Sequence, residues 1–290
     1  MDYALGIVAA AIAMVAWGFG DFLIQKFARR IGDWESLFYI SIFGAIVIFP
    51  FIYGQLPALV SNSKILILLL ATSVVLLAAA LLDFEALKEG KIAIAEPVFV
   101  LEIPVAALLA FIVIREGITF YQTLLIGGLI LGLVLVSVRR FKLQKRMWLE
   151  KGVALAVIGS IFMGATNFLF GIAARETSAL MVNWFTSLFL AVVCIAYLAH
   201  KSKLHKLRID GGKKAGLLLG LCMFDNVAWI AFAYATVLVP IAIAVSISQC
   251  FIIITVLLGI FVSHEKLMRH QKVGVVIAIA LAIALAAITV

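Results

Sequence analysis

Charge is scarce in this chain. Only 13% of its 290 residues are Asp, Glu, Lys or Arg, against roughly 25% in soluble globular domains, and 66% are hydrophobic. Cysteine is scarcer: Cys194, Cys222 and Cys250 each lie inside an apolar run at no metal-ligand or redox-motif spacing, so they read as small packing residues and exclude a disulfide scaffold. Histidine is nearly as sparse, with four residues. His264, Glu265 and His270 miss the i, i+4 pair that a zinc-protease helix needs, because these histidines are six apart. With no nucleophile–base pair in evidence, the sequence predicts no catalytic residues, no metal and no cofactor. Basic residues are missing from the apolar interiors, none lying deeper than a helix end. That disfavours phosphorylated substrates, which Arg or Lys would have to hold.

What the chain has in abundance is long apolar runs, and its mean hydropathy is +1.23. A bilayer's hydrocarbon core is about 30 Å thick and takes about 20 apolar residues to cross as a helix. Ten such stretches follow one another, near 4–24, 35–53, 65–87, 92–114, 119–138, 152–173, 179–199, 214–236, 241–262 and 272–289. One apolar run alone could be the buried helix of a soluble core; ten in succession predict an all-α, multi-pass membrane protein. The first run follows Met1-Asp2-Tyr3, which carry no positive charge, and precedes Lys26, Arg29 and Arg30. It therefore reads as a retained span and not as a secretory signal.

The net charge of +8 is distributed one-sidedly. The loops after helices one, three, five, seven and nine hold 3, 2, 6, 6 and 3 of the 23 Lys and Arg residues, and the other side has Lys64, Arg115 and Arg175. Basic residues concentrate in cytoplasmic loops, so the odd-numbered connections are expected in the cytoplasm of a plasma-membrane protein, with both termini outside. The clusters Arg139–Arg140–Lys142–Lys145–Arg146 and Lys201–Lys203–Lys206–Arg208 suit anionic lipid headgroups. No nucleic-acid-binding fold accompanies them, so no nucleic-acid partner is expected.

A weak internal repeat runs through the chain. A shift of 146 residues lays Gly6 on Gly152, Gly18 on Gly164, Asp21 on Asn167 and Phe22 on Phe168; a shift of 149 lays Ile92-Ala93-Ile94-Ala95 on Ile241-Ala242-Ile243-Ala244 and Glu116 on Glu265. Five helices per half is an odd number, which forces the halves into opposite orientations. The expected fold is ten transmembrane helices in two inverted repeats of five, 1–140 and 152–290, joined by a basic cytoplasmic linker over 141–151. In inverted-repeat transporters the site lies at the repeat interface near the midplane.

Ionisable residues inside spans cost at least about 2.5 kcal/mol at a helix centre, so they face the bundle interior and are functional candidates. Glu102 and Asp225 are expected deepest; Glu96 follows, and Asp21, Asp83 and Glu85 could reach the interface. Low dielectric disfavours a charged carboxyl, and a carboxyl that gains and loses a proton is what proton coupling needs. Trp17 lies four residues from Asp21 and Trp229 four from Asp225, with Asn226 beside them, an arrangement of ring and acid suited to an amine. Trp184 joins these as a cavity candidate, whereas Trp34 and Trp148 suit an interfacial belt. Asn167, Asn183 and Gln249 offer hydrogen bonds either to substrate or between helices. Pro97 and Pro104, two turns apart, are expected to break helix four. The pairs Gly128/Gly132 and Gly216/Gly220 allow close helix approach within the bundle, with a dimer as the alternative.

At Trp17-Gly18 followed by Lys26, at Phe84-Glu85-Ala86-Leu87, and along Pro97 to Pro104 and on to Arg115-Glu116-Gly117-Ile118-Thr119, the chain resembles the drug/metabolite transporter superfamily, specifically its EamA-type ten-helix permeases. The second half carries Ser263-His264-Glu265-Lys266-Leu267, a poorer copy of the last motif. The resemblance covers the whole chain. It implies a carrier of small metabolites, often an exporter of amino acids or related compounds, with a central cavity between the halves; the buried carboxylates add the expectation that protons or substrate exchange drive it. A channel would want a filter motif or charged ring, and an intramembrane enzyme a catalytic constellation; both remain as alternatives.

Overall fold

A computed structural model describes residues 2–89, 98–138, 151–207, 213–263 and 268–290. Its helices are α1 (Tyr3–Ile31), α2 (Asp33–Ile52), α3 (Leu56–Ser61), α4 (Ser63–Glu89), α5 (Glu102–Ile114), α6 (Phe120–Ser137), α7 (Lys151–Glu176), α8 (Ala179–His200), α9 (Lys213–Leu238), α10 (Ile241–Ser248), α11 (Phe251–Ser263) and α12 (Arg269–Thr289). Among the described residues, nine helical stretches are long and apolar enough to cross a membrane. The remaining predicted span is represented by α5, of 13 residues; Glu96 and Pro97 lie outside the described residues, as do Trp148 and all of the basic linker except Lys151.

The first helix shows how an apolar sequence sorts itself without polar residues to guide it. Leu5, Val8, Ile12, Val15 and Phe19 recur at helical spacing and are exposed, forming a stripe toward lipid. Ala10 and Ala13 on another face are fully buried, and with Gly6 they let α1 approach α9 until a Cβ on Gly6 would meet Val239 Cγ1 at 2.6 Å. Close van der Waals packing of small residues is what holds helices together where lipid is as apolar as leucine. The interior hydroxyls are satisfied locally: Thr72, Ser73, Ser160, Thr166, Ser246 and Ser248 each donate to the carbonyl four residues back, at 2.6–2.9 Å.

The helix pairing repeats between halves. α1 packs on α9 as α7 packs on α4, α1 on α11 as α7 on α5, and the remaining pairs, α2 with α8 and α6 with α12, map onto themselves. Element bounds follow the same register: α4 begins at Ser63 and α9 at Lys213, α6 at Phe120 and α12 at Arg269. The fold is all-α, with these helices forming ten transmembrane segments in two inverted repeats of five.

Several boundaries differ from the sequence expectation. The second span runs on to Ser61 as a 29-residue stretch, because Pro57 sits in the first turn of α3, where a missing N–H costs nothing. α1 continues to Ile31, and Gly32, at φ 113°, makes the turn into α2. That left-handed backbone favours glycine, and a Cβ there would also lie 2.2 Å from Glu35 Oε2. The ninth span, expected to be continuous, is interrupted at Gln249 and Cys250. There Cys250 N donates to Ile247 O at 3.1 Å and Ile253 N to Cys250 O at 2.9 Å, tighter i→i−3 bonds replacing the α-helical pattern.

Helix four breaks at the matching place, Val100 and Leu101, lying between its two prolines. Pro104 cannot donate to Val100 O, and Ile103 N takes that carbonyl instead at 3.2 Å. Glu102 is consequently the first residue of the half-helix α5 and not a mid-helix group. The glycine pairs divide as well. Gly132 and Gly274 bring α6 and α12 into backbone contact, and a Cβ on Gly128 would strike Leu281 at 2.6 Å, whereas Gly216 has nothing within 4 Å. Close approach at Gly216/Gly220 is therefore not what this bundle uses.

Candidate functional site

The two breaks open into one cavity of about 230 Å³ lined by both halves. Its walls come from α1 (Trp17, Asp21), α2 (Ser41), α4 (Asp83) and α5 (Glu102), and across from them α7 (Asn167, Phe170), α8 (Asn183, Thr186, Ser187), α9 (Asp225, Asn226, Trp229) and the α10–α11 junction (Gln249, Phe251). Helical periodicity explains the sets. Asn183, Thr186, Ser187 and Leu190 share one face of α8, and Asp225, Asn226 and Trp229 one face of α9.

Glu102 joins the halves at this cavity. Its side chain is buried, and its Oε2 accepts from Asn167 Nδ2 at 3.1 Å and from Gln249 Nε2 at 2.5 Å. Asn167 comes from α7 and Gln249 from the break after α10, so both donors belong to the other repeat. Two buried acceptors nearby have no hydrogen-bond partner among the described residues: Gln249 Oε1 and Asp83 Oδ1. The Asp83 oxygen lies against the backbone of Gly159, where a Cβ would come within 2.2 Å of it. Three carboxylates at the cavity, Asp21, Asp83 and Glu102, come from the first repeat and one, Asp225, from the second.

An aromatic wall lines the same cavity. The Trp17 and Trp229 rings meet edge to face at 5.2 Å, Phe170 lies 4.8 Å from Trp229, and Phe251 lies 6.3 Å from Trp17. Asn226 and Asn183 support this wall. Asn226 donates to Ile40 O at 3.0 Å and Cys222 O at 2.9 Å, and Asn183 to Ala179 O at 2.7 Å and Trp229 O at 3.3 Å.

The sequence candidates thus converge unevenly. Trp17, Asp21, Glu102, Asn167, Asp225, Asn226, Trp229 and Gln249 meet at one cavity. Trp184 does not: it packs against Phe49 with ring centroids 6.1 Å apart, because it sits one residue, about 100°, round the helix from Asn183. Pro104 shapes the break without lining the cavity. Asp83 was expected nearer the interface, yet it is part of the lining, since α4 runs on to Glu89 and carries Asp83 inward from its end. Phe170 and Phe251 were not singled out; among the 21 phenylalanines of the chain nothing marked them except their neighbourhood to Asn167 and Gln249.

A second polar assembly closes one end of the bundle. Arg175, in the last turn of α7, pairs with Glu116 Oε1 at 2.8 Å and donates to Thr236 O at 2.6 Å and Val239 O at 3.1 Å. Glu116 Oε2 accepts from Ile241 N, the first residue of α10, at 2.7 Å. Three even-numbered connections are tied together at this point. The Arg115–Thr119 segment has a local logic too: Arg115 at φ 52° ends α5, and Thr119 opens α6 in a reciprocal cap with Gln122.

The model of the EamA-like transporter family matches the chain twice, over residues 4–138 and 150–287. A solved structure described as "Crystal structure of protein" superposes with a TM-score of 0.77 over 98% of this chain and 95% of that one, at 13% identity, a likeness of fold alone. No curated protein matches the chain. Two copies of the family pattern, one in each repeat, account for nearly every residue, and the chain belongs to the EamA-like transporter family.

Proposed function

We propose that this membrane transporter is a secondary active carrier, an exporter of small metabolites such as amino acids or amines, driven by protons or by substrate exchange, with its substrate site in the cavity between the repeats. The observation that carries the reading is Glu102, whose carboxylate accepts hydrogen bonds from Asn167 and Gln249 of the opposite repeat. Rocking one repeat against the other requires these bonds to break. An ionised carboxylate accepts from both amides, and a protonated one gives up part of that accepting capacity and must place its own hydrogen. Proton exchange at Glu102 therefore changes the bonding between halves at the place where substrate would sit.

The Glu116–Arg175 assembly supports the same cycle. It joins connections that the charge distribution assigns to the extracytoplasmic side, where it serves as a closure that must release when that side opens. The reading also carries the plasma-membrane location, the outward-facing termini and the division at 141–151.

Purified protein in proteoliposomes tests it. A carrier gives saturable flux, counterflow and uptake driven by an imposed pH gradient; flux without saturation or counterflow would make it a channel, and chemical alteration of the substrate an enzyme. In the Glu102→Gln variant, loss of pH-driven uptake with retained exchange is the expected result, and wild-type pH-driven uptake would remove Glu102 from coupling.

A further inference from the structure

We infer that the cavity is built for an organic cation with hydrogens on its charged nitrogen and an aromatic or otherwise apolar body, in preference to a zwitterionic amino acid or a neutral metabolite. This rests on the carrier reading above and specifies its substrate.

The inference follows from what the cavity offers and what it lacks. Among the described residues, two buried acceptors on cavity-lining side chains, Gln249 Oε1 and Asp83 Oδ1, have no donor. Gln249 is only 5% exposed and lines the cavity, so its carbonyl is desolvated with nothing bonded to it. A buried acceptor left without a donor carries an unrecovered desolvation cost, which a ligand bringing N–H groups offsets on binding. An alkylammonium carries three such hydrogens and a guanidinium five.

Charge points the same way. Asp21, Asp83, Glu102 and Asp225 line the cavity, and among the described residues no Lys, Arg or His does. The amide donors that might have received a substrate carboxylate are largely engaged: Asn226 and Asn183 each donate to two backbone carbonyls, and Asn167 and Gln249 each spend one of their two N–H groups on Glu102. The amide, hydroxyl and indole donors that remain carry no charge with which to neutralise a carboxylate. An amino acid would bring an anionic group into a chamber of four acids.

The aromatic wall completes the fit. Trp17, Trp229, Phe170 and Phe251 present ring faces and edges beside the acids, and indole faces attract cations as well as apolar groups. At about 230 Å³ the space is below the roughly 300–1,000 Å³ of most ligand pockets, which suits a compact amine.

A matched series isolates the charge. Tyramine, tyrosine, tyrosol and 4-hydroxyphenylacetate share one ring and differ in carrying a cation, a zwitterion, no charge and an anion. Binding of each to the purified, detergent-solubilised protein is measured by tryptophan fluorescence and thermal shift, and flux of each in proteoliposomes by counterflow. The expected result is that tyramine binds at least about tenfold more tightly than the other three. The Asp225→Asn and Gln249→Leu variants, checked for folding by size-exclusion profile, should erode that preference. Equal or tighter binding of tyrosine or tyrosol overturns the inference, as does failure of all four to bind folded protein. Counterflow of tyrosine or tyrosol without tyramine leaves the carrier reading standing and removes this one; tyramine binding with no flux does the reverse.

Discussion

Gly18 and Gly164 occupy equivalent positions in the two repeats and make the same contact. A Cβ on Gly18 would meet Ile254 at 2.6 Å and Phe251 O at 3.3 Å; one on Gly164 would meet Val105 at 2.7 Å and Glu102 O at 2.9 Å. The partners are themselves related by the 149-residue shift, Val105 to Ile254 and Glu102 to Phe251. Each glycine seats a long helix on the half-helix that begins just after the break. Gly18→Val and Gly164→Val should each destabilise the protein by about 1–3 kcal/mol, as overpacking does. Gly127→Ala, with nothing within 4 Å, should not. Thermal melting followed by size-exclusion chromatography reads all three, and a drop at one glycine alone would break the equivalence.

The donors to Glu102 are separable from its charge. Gln249→Leu removes one of them and leaves the carboxylate underbonded, so folded protein should lose about 1–3 kcal/mol of stability. Glu102→Gln removes a buried carboxylate, and its stability should be equal or slightly higher. Opposite movements of the two melting temperatures are the expected outcome. A parallel loss in both would make Glu102 a structural acid.

Arg175 caps the end of α9 while pairing with Glu116, so its loss removes an ion pair and two carbonyl donors together. Arg175→Met should cost about 1–3 kcal/mol. Arg175→Lys should recover less than half of that, because an ammonium cannot reproduce the planar guanidinium fork. As the assembly joins connections and does not touch the cavity, equilibrium binding by the folded variants should be weakly affected and transport strongly. Unchanged flux in Arg175→Met would show that it is no closure.

Topology is open to direct labelling, since Cys194, Cys222 and Cys250 are at most 4% exposed and should stay silent toward an impermeant maleimide. Lys64→Cys should label in intact cells and Lys203→Cys only after permeabilisation. A reporter fused after Val290 should likewise behave as extracytoplasmic. The reverse pattern would invert the orientation and leave the fold untouched.

The span count and the repeat were legible in the sequence because each rests on many residues acting additively: apolar length, loop charge and a register shift. The interruption at Gln249 and Cys250 was not, since no proline or glycine marks it and i→i−3 bonding there leaves no compositional trace. Helix four announced its break through Pro104, yet the placement of Glu102 at the start of α5 follows from the bonding of Val100 O, a three-dimensional fact. The separation of Trp184 from the cavity turned on a single residue of helical phase beside Asn183, finer than span boundaries uncertain by a few residues could resolve. The Glu116–Arg175 pairing links residues 59 positions apart, one in a loop and one in the last turn of a helix, with no shared pattern.

The repeat is faithful in backbone and unfaithful in charge. Asp21 answers to Asn167, Asp83 to Phe232, Glu102 to Phe251 and Asp225 to Leu76, so no acid at the cavity has an acid as its twin. A carrier with identical repeats would have two end states of equal energy, one the mirror of the other in function. On the carrier reading proposed above, the two states would present different electrostatics to the same cargo, so their resting populations would differ, and with them the apparent affinity on each face of the membrane. Energy conservation forbids such an imbalance from altering the final gradient. It would act on rates alone and make the carrier a kinetic rectifier that fills more readily from one side than from the other.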